Sequence, residues 1–211
     1  MEFISNELLA YSEMHSSPEN ELLSELNRQT HLKARMPRML SGHLQGRLLS
    51  FLSKMQKPDC ILELGTYTGY SALCLAEGLN KNGKLITIDN NPETQAIASE
   101  YFQKSIYKNQ IELLTGNAAE LIPTLNIKPD LIFIDADKIN YSLYFDLLID
   151  VLKSGALIIA DNVLWSGKIL LEKKDPDTLA LHDFNTKVRQ DKRVESLLLP
   201  VRDGLMLLKK V

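Results

Sequence analysis

The sequence predicts an α/β fold in which helices cover both faces of a mostly parallel, seven-stranded sheet. From residue 60 onward, short apolar runs of strand length alternate with segments of helical spacing, which requires crossovers between parallel strands. The final stretch surrounds an Asp-Gly pair, which is typical of an antiparallel hairpin. We therefore predict a doubly wound, Rossmann-like sheet that ends in a hairpin and is preceded by extra N-terminal helices.

Length and composition favour a single domain. The chain has 211 residues, enough for one full hydrophobic core and too few for two ordinary domains. We predict one domain over residues 1–211, with a helical cover over 1–57 and the sheet region over 60–211. The composition is 45% hydrophobic and 24% charged, and the net charge of −3 gives no global basic field for nucleic acid.

The first residues and the cysteines predict a cytoplasmic protein. The N-terminus lacks a basic region followed by an apolar stretch, and no apolar run reaches membrane-spanning length. Cys60 and Cys74 fall in segments predicted to be buried, which indicates small core residues in a reducing compartment and not a disulfide framework.

The N-terminal cover is predicted to contain three helices. Two of them span 3–15 and 18–35, separated by Ser16-Ser17-Pro18, which would supply a cap and a first-turn proline. Pro37 then interrupts the pattern, and a third helix ends at Lys57-Pro58-Asp59. Its apolar residues recur at helical spacing: Leu44, Leu48, Leu49, Leu52 and Met55. We expect these helices to cover one edge of the sheet and part of a ligand mouth.

The elements of the sheet region follow from the same alternation. Strand-like runs cover 61–64, 84–89, 111–115, 131–135 and 156–161, and helical segments lie near 70–80, 93–107, 117–125 and 140–153. Residues 194–199 and 205–209 would form the hairpin around Asp203-Gly204. Residues 164–178 are the one long irregular stretch, and we expect them to form a substrate loop.

The turn after the first strand predicts a nucleoside-containing ligand. The strand ends at Glu63, and Gly65 and Gly69 follow in an E-x-G-x-x-x-G pattern before a helix. Glycine allows close approach of the backbone, and the helix N-terminus offers unpaired N–H donors. The spacing differs from the G-x-G-x-x-G of pyrophosphate cradles and favours a ligand with a carboxylate, an amine and a nucleoside, such as S-adenosylmethionine (SAM). A purely structural glycine turn is the alternative.

Two further strand ends extend this binding site. The second strand ends at Asp89, about twenty residues beyond the glycine turn, where an acid would bind ribose hydroxyls. The third strand is followed by Gly116-Asn117-Ala118, small residues suited to the edge of a base. Asp89 as a simple helix cap is the alternative.

Acidic residues at the ends of the fourth and fifth strands predict a metal site. Apolar runs lead directly into Asp135 and into Asp161-Asn162. On neighbouring strands the two carboxylates and the Asn162 carbonyl oxygen would lie close together, and a divalent cation would relieve the repulsion. Oxygen ligands without a nearby His or Cys favour Mg²⁺, or else Mn²⁺ or Ca²⁺. The alternative is a metal-free cluster satisfied by Lys138 and the backbone.

A metal beside a methyl donor suggests how a hydroxyl could be methylated. Chelation of a vicinal diol by Mg²⁺ lowers the pKa of a phenol and holds both oxygens in place. Lys138, three residues after Asp135, could accept the proton if the cation and partial burial lower its own pKa. An exposed Lys138 paired with Asp137 is the alternative.

These motifs resemble the cation-dependent, class I SAM O-methyltransferases, which include catechol and caffeoyl-CoA O-methyltransferases and many bacterial enzymes. The resemblance runs from about Met39 to the C-terminus and depends most on Asp135-Ala136-Asp137-Lys138 and Asp161-Asn162-Val163-Leu164-Trp165. It implies that Lys138 is the catalytic base and that Asp135 acts with it. The SAM site that it implies consists of Met39, Ser41, Glu63, Gly65, Ser71, Asp89, Ala118 and the backbone of Asp135. The implied metal ligands are Asp135, Asp161 and Asn162, and Asp137 and Trp165 would line the acceptor pocket.

The resemblance leaves the acceptor open. The loop after Trp165 carries Lys168, Lys173 and Lys174 but lacks the paired tyrosines expected of a plant phenylpropanoid enzyme, so that specificity does not carry over. A small catechol-like phenol is the leading expectation, and relatives of this kind are commonly homodimers.

Two alternatives stand beside it. Some bacterial relatives methylate hydroxyuridine in transfer RNA, and basic residues of the N-terminal helices could form a local basic rim: Arg28, His31, Lys33, Arg35, Arg38, His43 and Arg47. The other alternative is a SAM-binding interaction protein without catalysis, which the intact Asp135, Lys138, Asp161 and Asn162 set disfavours.

Overall fold

The sheet has seven strands, as the sequence predicts. The computed structural model describes residues 4–211. The strands are β1 (Cys60–Leu64), β2 (Lys84–Asp89), β3 (Ile111–Thr115), β4 (Leu131–Ile134), β5 (Leu157–Ala160), β6 (Val194–Leu199) and β7 (Leu205–Lys210). Their order is β3-β2-β1-β4-β5-β7-β6, with β1 to β5 parallel and β7 antiparallel to both β5 and β6. The doubly wound sheet with a terminal hairpin is confirmed.

Helices flank this sheet. They are α1 (Asn6–Met14), α2 (Glu21–Lys33), α3 (Gly42–Gln56), α4 (Tyr70–Ala76), α5 (Pro92–Lys104), α6 (Ala118–Leu121), α7 (Tyr141–Ile149) and α8 (Pro176–Gln190). Short 3₁₀ helices cover Pro37–Met39, Ile122–Thr124, Lys138–Asn140 and Trp165–Leu170. Across residues 4–211, none of the helices combines the length and apolar character needed to cross a bilayer.

Two hydrophobic cores bury the central strands from both sides, as is usual for parallel strands. One core contains aromatic residues of α7 and α8, among them Phe145 and Phe184. The other joins α2 to α5 and includes Leu26 and Leu49. Cys74 is buried in this second core, Cys60 is half-buried, and both are free thiols.

The N-terminal helices differ from the prediction in two respects. α2 begins at Glu21 and not after Ser17-Pro18, because the Asn20 side chain accepts a hydrogen bond from the Leu23 N–H at 2.9 Å and caps the helix. α2 and α3 pack on a face of the sheet with α4 and α5, so the prediction that they cover an edge is wrong. The predicted helix over 3–15 is present as α1, and residue 3 lies outside the described residues.

The stretch 164–178 is less irregular than predicted. It contains the 3₁₀ helix Trp165–Leu170, kinked at Ser166 and Gly167, and α8 begins within it at Pro176. Asp175 caps α8 by accepting a hydrogen bond from the Thr178 N–H at 2.8 Å. This helix was not predicted, although its buried apolar residues recur at helical spacing: Leu181, Phe184 and Val188.

The register of the parallel strands brings predicted site residues to one edge. β4 lies between β1 and β5, and the ends of the three strands are aligned. Asp135, which follows β4, therefore lies between Gly65, which follows β1, and Asp161, which follows β5. β2 ends beside them at Asp89. This carboxyl edge is where open parallel sheets bind their ligands.

The hairpin turn is wider than an Asp-Gly pair. Leu199 of β6 pairs with Leu205 of β7, so residues 200–204 connect the two strands. The positive φ angles fall at Arg202 and Gly204 and not at Asp203. As a result, the turn projects over the carboxyl edge of β5, where its residues reach the candidate site.

Candidate functional site

Two adjoining cavities open at the carboxyl edge of the sheet. The first has a volume of about 280 Å³ and the second about 1170 Å³, and Gly65, Asp89 and Asp135 line both. Predicted site residues that line the first cavity are Met39, Ser41, Gly65, Ser71, Asp89 and Asp135. Those that line the second include Ala118, Asp137, Lys138, Asp161, Asn162 and Trp165. Glu63 lies beneath the glycine turn with a fully buried side chain.

The N-terminal cover forms part of the mouth of the first cavity, as predicted. Residues 33–36 and 39–41 line it. The Tyr67 hydroxyl, in the glycine turn, donates to the Met36 carbonyl oxygen at 2.9 Å, and the Thr30 hydroxyl donates to the Thr68 hydroxyl at 2.9 Å. These bonds fix the cover directly to the turn after β1.

Gly65 occupies a position that only glycine fits. Its φ angle is +100°, and a Cβ atom there would clash with the main-chain carbonyl of Asp135, lying 2.7 Å from the carbonyl carbon. The Gly65 N–H donates to the Ile88 carbonyl oxygen at 2.9 Å, so the turn is fixed from both neighbouring strands. Gly65 also lines both cavities, where its backbone can be approached closely by a ligand.

We predict that Gly65→Ala destabilises the fold by at least about 3 kcal/mol, since a strained φ and a backbone clash add together. Gly155→Ala is the matched control, because Gly155 has φ +86° with open space around its Cβ position. It should cost only about 1–2 kcal/mol. Urea unfolding measures both values, and equal losses would show that the contact with Asp135 is unimportant.

Asp89 is held by the backbone at the entrance of the first cavity. Its Oδ2 accepts a hydrogen bond from the Tyr67 N–H at 2.7 Å, and its Oδ1 accepts one from the Asn91 N–H at 2.9 Å. The cap of α5 is Asn91, whose side chain accepts from the Glu93 N–H. Asp89 is therefore not the cap of that helix, and its carboxylate faces the cavity with a fixed orientation.

Glu63 is a buried carboxylate with an unused oxygen. Its Oε2 accepts a hydrogen bond from the Thr87 hydroxyl at 2.5 Å, whereas Oε1 has no protein partner among residues 4–211. Burial, reinforced by the charges of Asp135 and Asp89, raises the pKa of Glu63 to about 8. An orphaned buried acceptor beneath the cavity fits a cationic ligand group such as the amine of SAM.

This burial predicts a pH dependence of stability. Unfolded Glu63 ionises near pH 4.5 and the folded side chain near pH 8, so between these values the folded state holds an extra proton and the free energy of unfolding falls as the pH rises. This effect lowers the free energy of unfolding by on the order of 3 kcal/mol between pH 5 and pH 8, and Glu63→Gln should remove it. Urea unfolding of ligand-free protein at several pH values measures it. Parallel curves for the two proteins would contradict the assignment.

Asp161 and Asp135 form the acidic pair that the sequence predicts. Asp161 is 3% exposed, and its Oδ1 accepts a hydrogen bond from the Asn162 N–H at 2.6 Å. Burial, followed by the charge of Asp135, raises the pKa of Asp161. Asn162 has a φ of +62°, a strained conformation that is common at functional sites.

The donor set at this edge fits a hard cation. No group of three or more His, Cys, Asp or Glu side chains suited to a metal occurs within 4–211, so a site here would depend on the two aspartates and Asn162. Two carboxylates and an amide supply only oxygen donors, and the second cavity leaves room for water or a ligand to complete the shell.

Lys138 contacts Asp135 and not Asp137. Its Nζ donates to Asp135 Oδ1 at 2.9 Å and to the Tyr141 hydroxyl at 2.8 Å, and the residue is 9% exposed. The alternative of an exposed Lys138 paired with Asp137 is therefore wrong. Burial opposes the charged form, but Tyr141 and Asp135 outweigh it and raise the pKa of Lys138. These two neighbours stabilise the ammonium, so a lowered pKa at Lys138 depends on a cation and stays a prediction.

Asp137 and Trp165 both line the second cavity. Asp137 is exposed, and its carboxylate accepts hydrogen bonds from the Tyr144 hydroxyl and the Asn140 amide. The indole of Trp165 packs partly against the core, and the ammonium groups of Lys138 and Lys168 each lie 5.7 Å from its ring centroid. Trp165 therefore contributes packing and also lines the cavity.

Several residues of the site were not predicted. They are Gln45, Tyr141, Tyr144, Arg202 and Asp203. The tyrosines could have been found, because Tyr141 follows Lys138 by three residues and Tyr144 follows Tyr141 by three, the spacing of neighbours on a helix surface. Ile4, Asn6 and Leu9 of the N-terminal segment also line the second cavity.

Known proteins similar in sequence include two groups of methyltransferases. A profile described as O-methyltransferase matches residues 13–211. A catechol O-methyltransferase of Niastella koreensis is 36% identical over 172 residues, which are 79% of this chain and 78% of that protein. A caffeoyl-CoA O-methyltransferase of Stellaria longipes is 32% identical over 205 residues, 92% of this chain and 85% of that protein.

A solved structure agrees with the fold over nearly the whole chain. The methyltransferase PaMTH1 of Podospora anserina, crystallised with S-adenosylhomocysteine (SAH) bound, has a TM-score of 0.90 to this structure and 30% sequence identity. The match covers 98% of this chain and 94% of that one.

Proposed function

Because the chain belongs to the O-methyltransferase family, we propose that it transfers a methyl group from SAM to a hydroxyl of a small, catechol-like phenol with a divalent cation, Mg²⁺, as cofactor. One observation carries the proposal. The aligned ends of β4 and β5 place Asp135 and Asp161 side by side, next to the cavity formed around the glycine turn.

The first cavity would hold SAM. Asp89 would accept hydrogen bonds from the ribose hydroxyls, Glu63 would accept one from the amine, and Gly65 leaves the backbone free to approach the ligand. Ala118 borders the space suited to a base. SAM supplies a methyl group on a sulfonium, and the SAH bound to PaMTH1, a relative of similar fold, supports this choice of donor.

Asp135, Asp161 and Asn162 would bind the cation. A cation bound there would supply a Lewis acid that lowers the pKa of a phenol, and it would favour acceptors that carry two adjacent hydroxyl groups. Trp165 would stack against the acceptor ring, and Asp137, fixed by Tyr144, would hydrogen-bond a second polar group of the acceptor.

Lys138 would take the hydroxyl proton. Lys138 lines the second cavity, and its Nζ lies next to Asp135, which lines both cavities, and above the ring of Trp165. Asp135 would stabilise the Lys138 ammonium less if it also held a cation, which would lower the pKa of Lys138 toward the range of a base. The phenol oxygen then bonds to the methyl carbon as the sulfur–carbon bond breaks. Positioning of donor and acceptor in one complex supplies much of the remaining rate.

Two of the seven basic residues that could bind RNA are held by other parts of the protein. Arg47 is engaged in an ion pair with Glu77 at 2.7 Å, and His43 contacts the Ser17 carbonyl oxygen at 2.7 Å, so neither is available to a phosphate backbone. The other basic residues of the predicted rim are exposed, as is usual for a solvated surface: Arg28, His31, Lys33, Arg35 and Arg38.

The test is incubation of the protein with labelled SAM and Mg²⁺, in parallel with a panel of catechols and with hypomodified transfer RNA. We expect label in at least one catechol. Label only in transfer RNA would reject a small phenol as the acceptor, and label in neither would favour the interaction protein without catalysis. A cytoplasmic location and a homodimer stay predictions, and sedimentation equilibrium tests the second.

A further inference from the structure

Gln45 connects the N-terminal cover to the acidic pair. It lies on α3, its side chain is 1% exposed, and its Nε2 donates to Asp161 Oδ2 at 2.5 Å. The other carboxylate oxygen of Asp161 accepts from the Asn162 N–H. Each oxygen of Asp161 therefore has one donor from the protein, which fixes the plane of the carboxylate and leaves further lone pairs free.

Arg202, in the hairpin turn, determines which way the Gln45 amide points. Its Nη1 donates to Gln45 Oε1 at 3.3 Å, to the Leu40 carbonyl oxygen at 3.1 Å and to the Ser41 carbonyl oxygen. A guanidinium has donors only, so the Gln45 oxygen must face Arg202 and the NH₂ group must face Asp161. The left-handed backbone of Arg202, with φ +47°, brings its side chain back over α3.

We propose that Gln45 is a positioning residue for the metal ligand Asp161, with Arg202 holding the amide in the orientation that makes this bond. The inference rests on the metal site proposed above. Partners that orient a metal ligand typically change metal affinity 10–100-fold when they are removed. A buried amide that merely satisfies a buried carboxylate would change stability but would leave metal affinity unchanged.

Titration calorimetry with Mg²⁺ alone separates these roles. The variants are Gln45→Met, which keeps the volume and removes the amide, and Gln56→Met as the matched control. Gln56 lies on the same helix, and its Nε2 donates to the Asp130 and Gly155 carbonyl oxygens at 3.2 and 2.9 Å, at the opposite ends of β4 and β5. Gln45→Met should weaken Mg²⁺ binding about tenfold, with SAM binding in EDTA unchanged. Gln56→Met should lose stability and keep wild-type Mg²⁺ affinity.

The outcomes distinguish the two proposals. If the wild-type protein binds no Mg²⁺, the metal site itself is wrong and the role of Gln45 falls with it. If the wild type binds Mg²⁺ and folded Gln45→Met binds it equally well, the metal site stands and the role of Gln45 is overturned. If Gln45→Met does not fold, Arg202→Met decides, with a smaller but measurable loss of Mg²⁺ affinity expected and an unchanged affinity overturning the inference.

Discussion

Asp161→Asn should lower kcat for catechol methylation on the order of a thousandfold while leaving SAM affinity in EDTA within about twofold. The substitution keeps the shape of the side chain and one of its two acceptor oxygens, so either the Gln45 amide or the Asn162 N–H loses its bond, and it removes one of the two negative charges at the proposed metal site. A lost Lewis acid is worth several kcal/mol of transition-state stabilisation, which is the origin of the expected factor. Steady-state rates with labelled SAM and equilibrium dialysis of SAM measure the two quantities.

Asp203→Asn is the matched control for this variant. Asp203 also lines the second cavity, where its Oδ1 accepts a hydrogen bond from the Ser166 N–H that an asparagine can still accept. It should keep kcat within a few-fold of the wild type. A similar loss in Asp203→Asn, or a parallel loss of SAM affinity in Asp161→Asn, would show that the metal site is misplaced.

Lys138→Met should lower kcat by about 10²- to 10⁴-fold, the usual worth of a general base. The loss should shrink with nitrocatechols, because a more acidic phenol needs less help to ionise. Rates across a series of catechols of increasing acidity measure this dependence. A loss of the same size for every acceptor would instead indicate a structural role in supporting Asp135.

Lys168→Met provides the control for the charge near the indole. Lys168 lies as far from the Trp165 ring as Lys138 does, but it pairs with Asp175 at 3.4 Å at the rim, where both side chains are about half exposed. Its removal should change kcat by less than about threefold, since exposed pairs contribute little. An equal loss of kcat in both variants would mean that the reaction depends on positive charge near the Trp165 indole and that Lys138 is not the base.

The fold and the carboxyl edge of the sheet were accessible from the sequence because they depend on local patterns. Apolar runs that end in an acid predict both the strands and the residues that follow them, so Asp89, Asp135 and Asp161 were placed correctly. The turn after β1 was equally clear, since Gly65 sits where no side chain fits. In each case neighbouring residues in the chain carry the signal.

Features that depend on distant or competing partners were missed. The Gln45–Asp161 hydrogen bond joins residues 116 positions apart, and nothing near either residue indicates it. Ser17 and Asn20 are both good caps, and propensity could not choose between them. The raised pKa of Lys138 depends on the Tyr141 hydroxyl, whose position is set by the packing of α7.

If acidic residues at adjacent strand ends hold a catalytic cation, methyl transfer to a catechol must depend on that cation. The measurement is methyl transfer by EDTA-treated protein before and after Mg²⁺ is added back. We expect no transfer in EDTA and full recovery with excess Mg²⁺, with SAM bound equally in both states. Transfer at the untreated rate in EDTA would contradict it, because the chemistry would then require no cation.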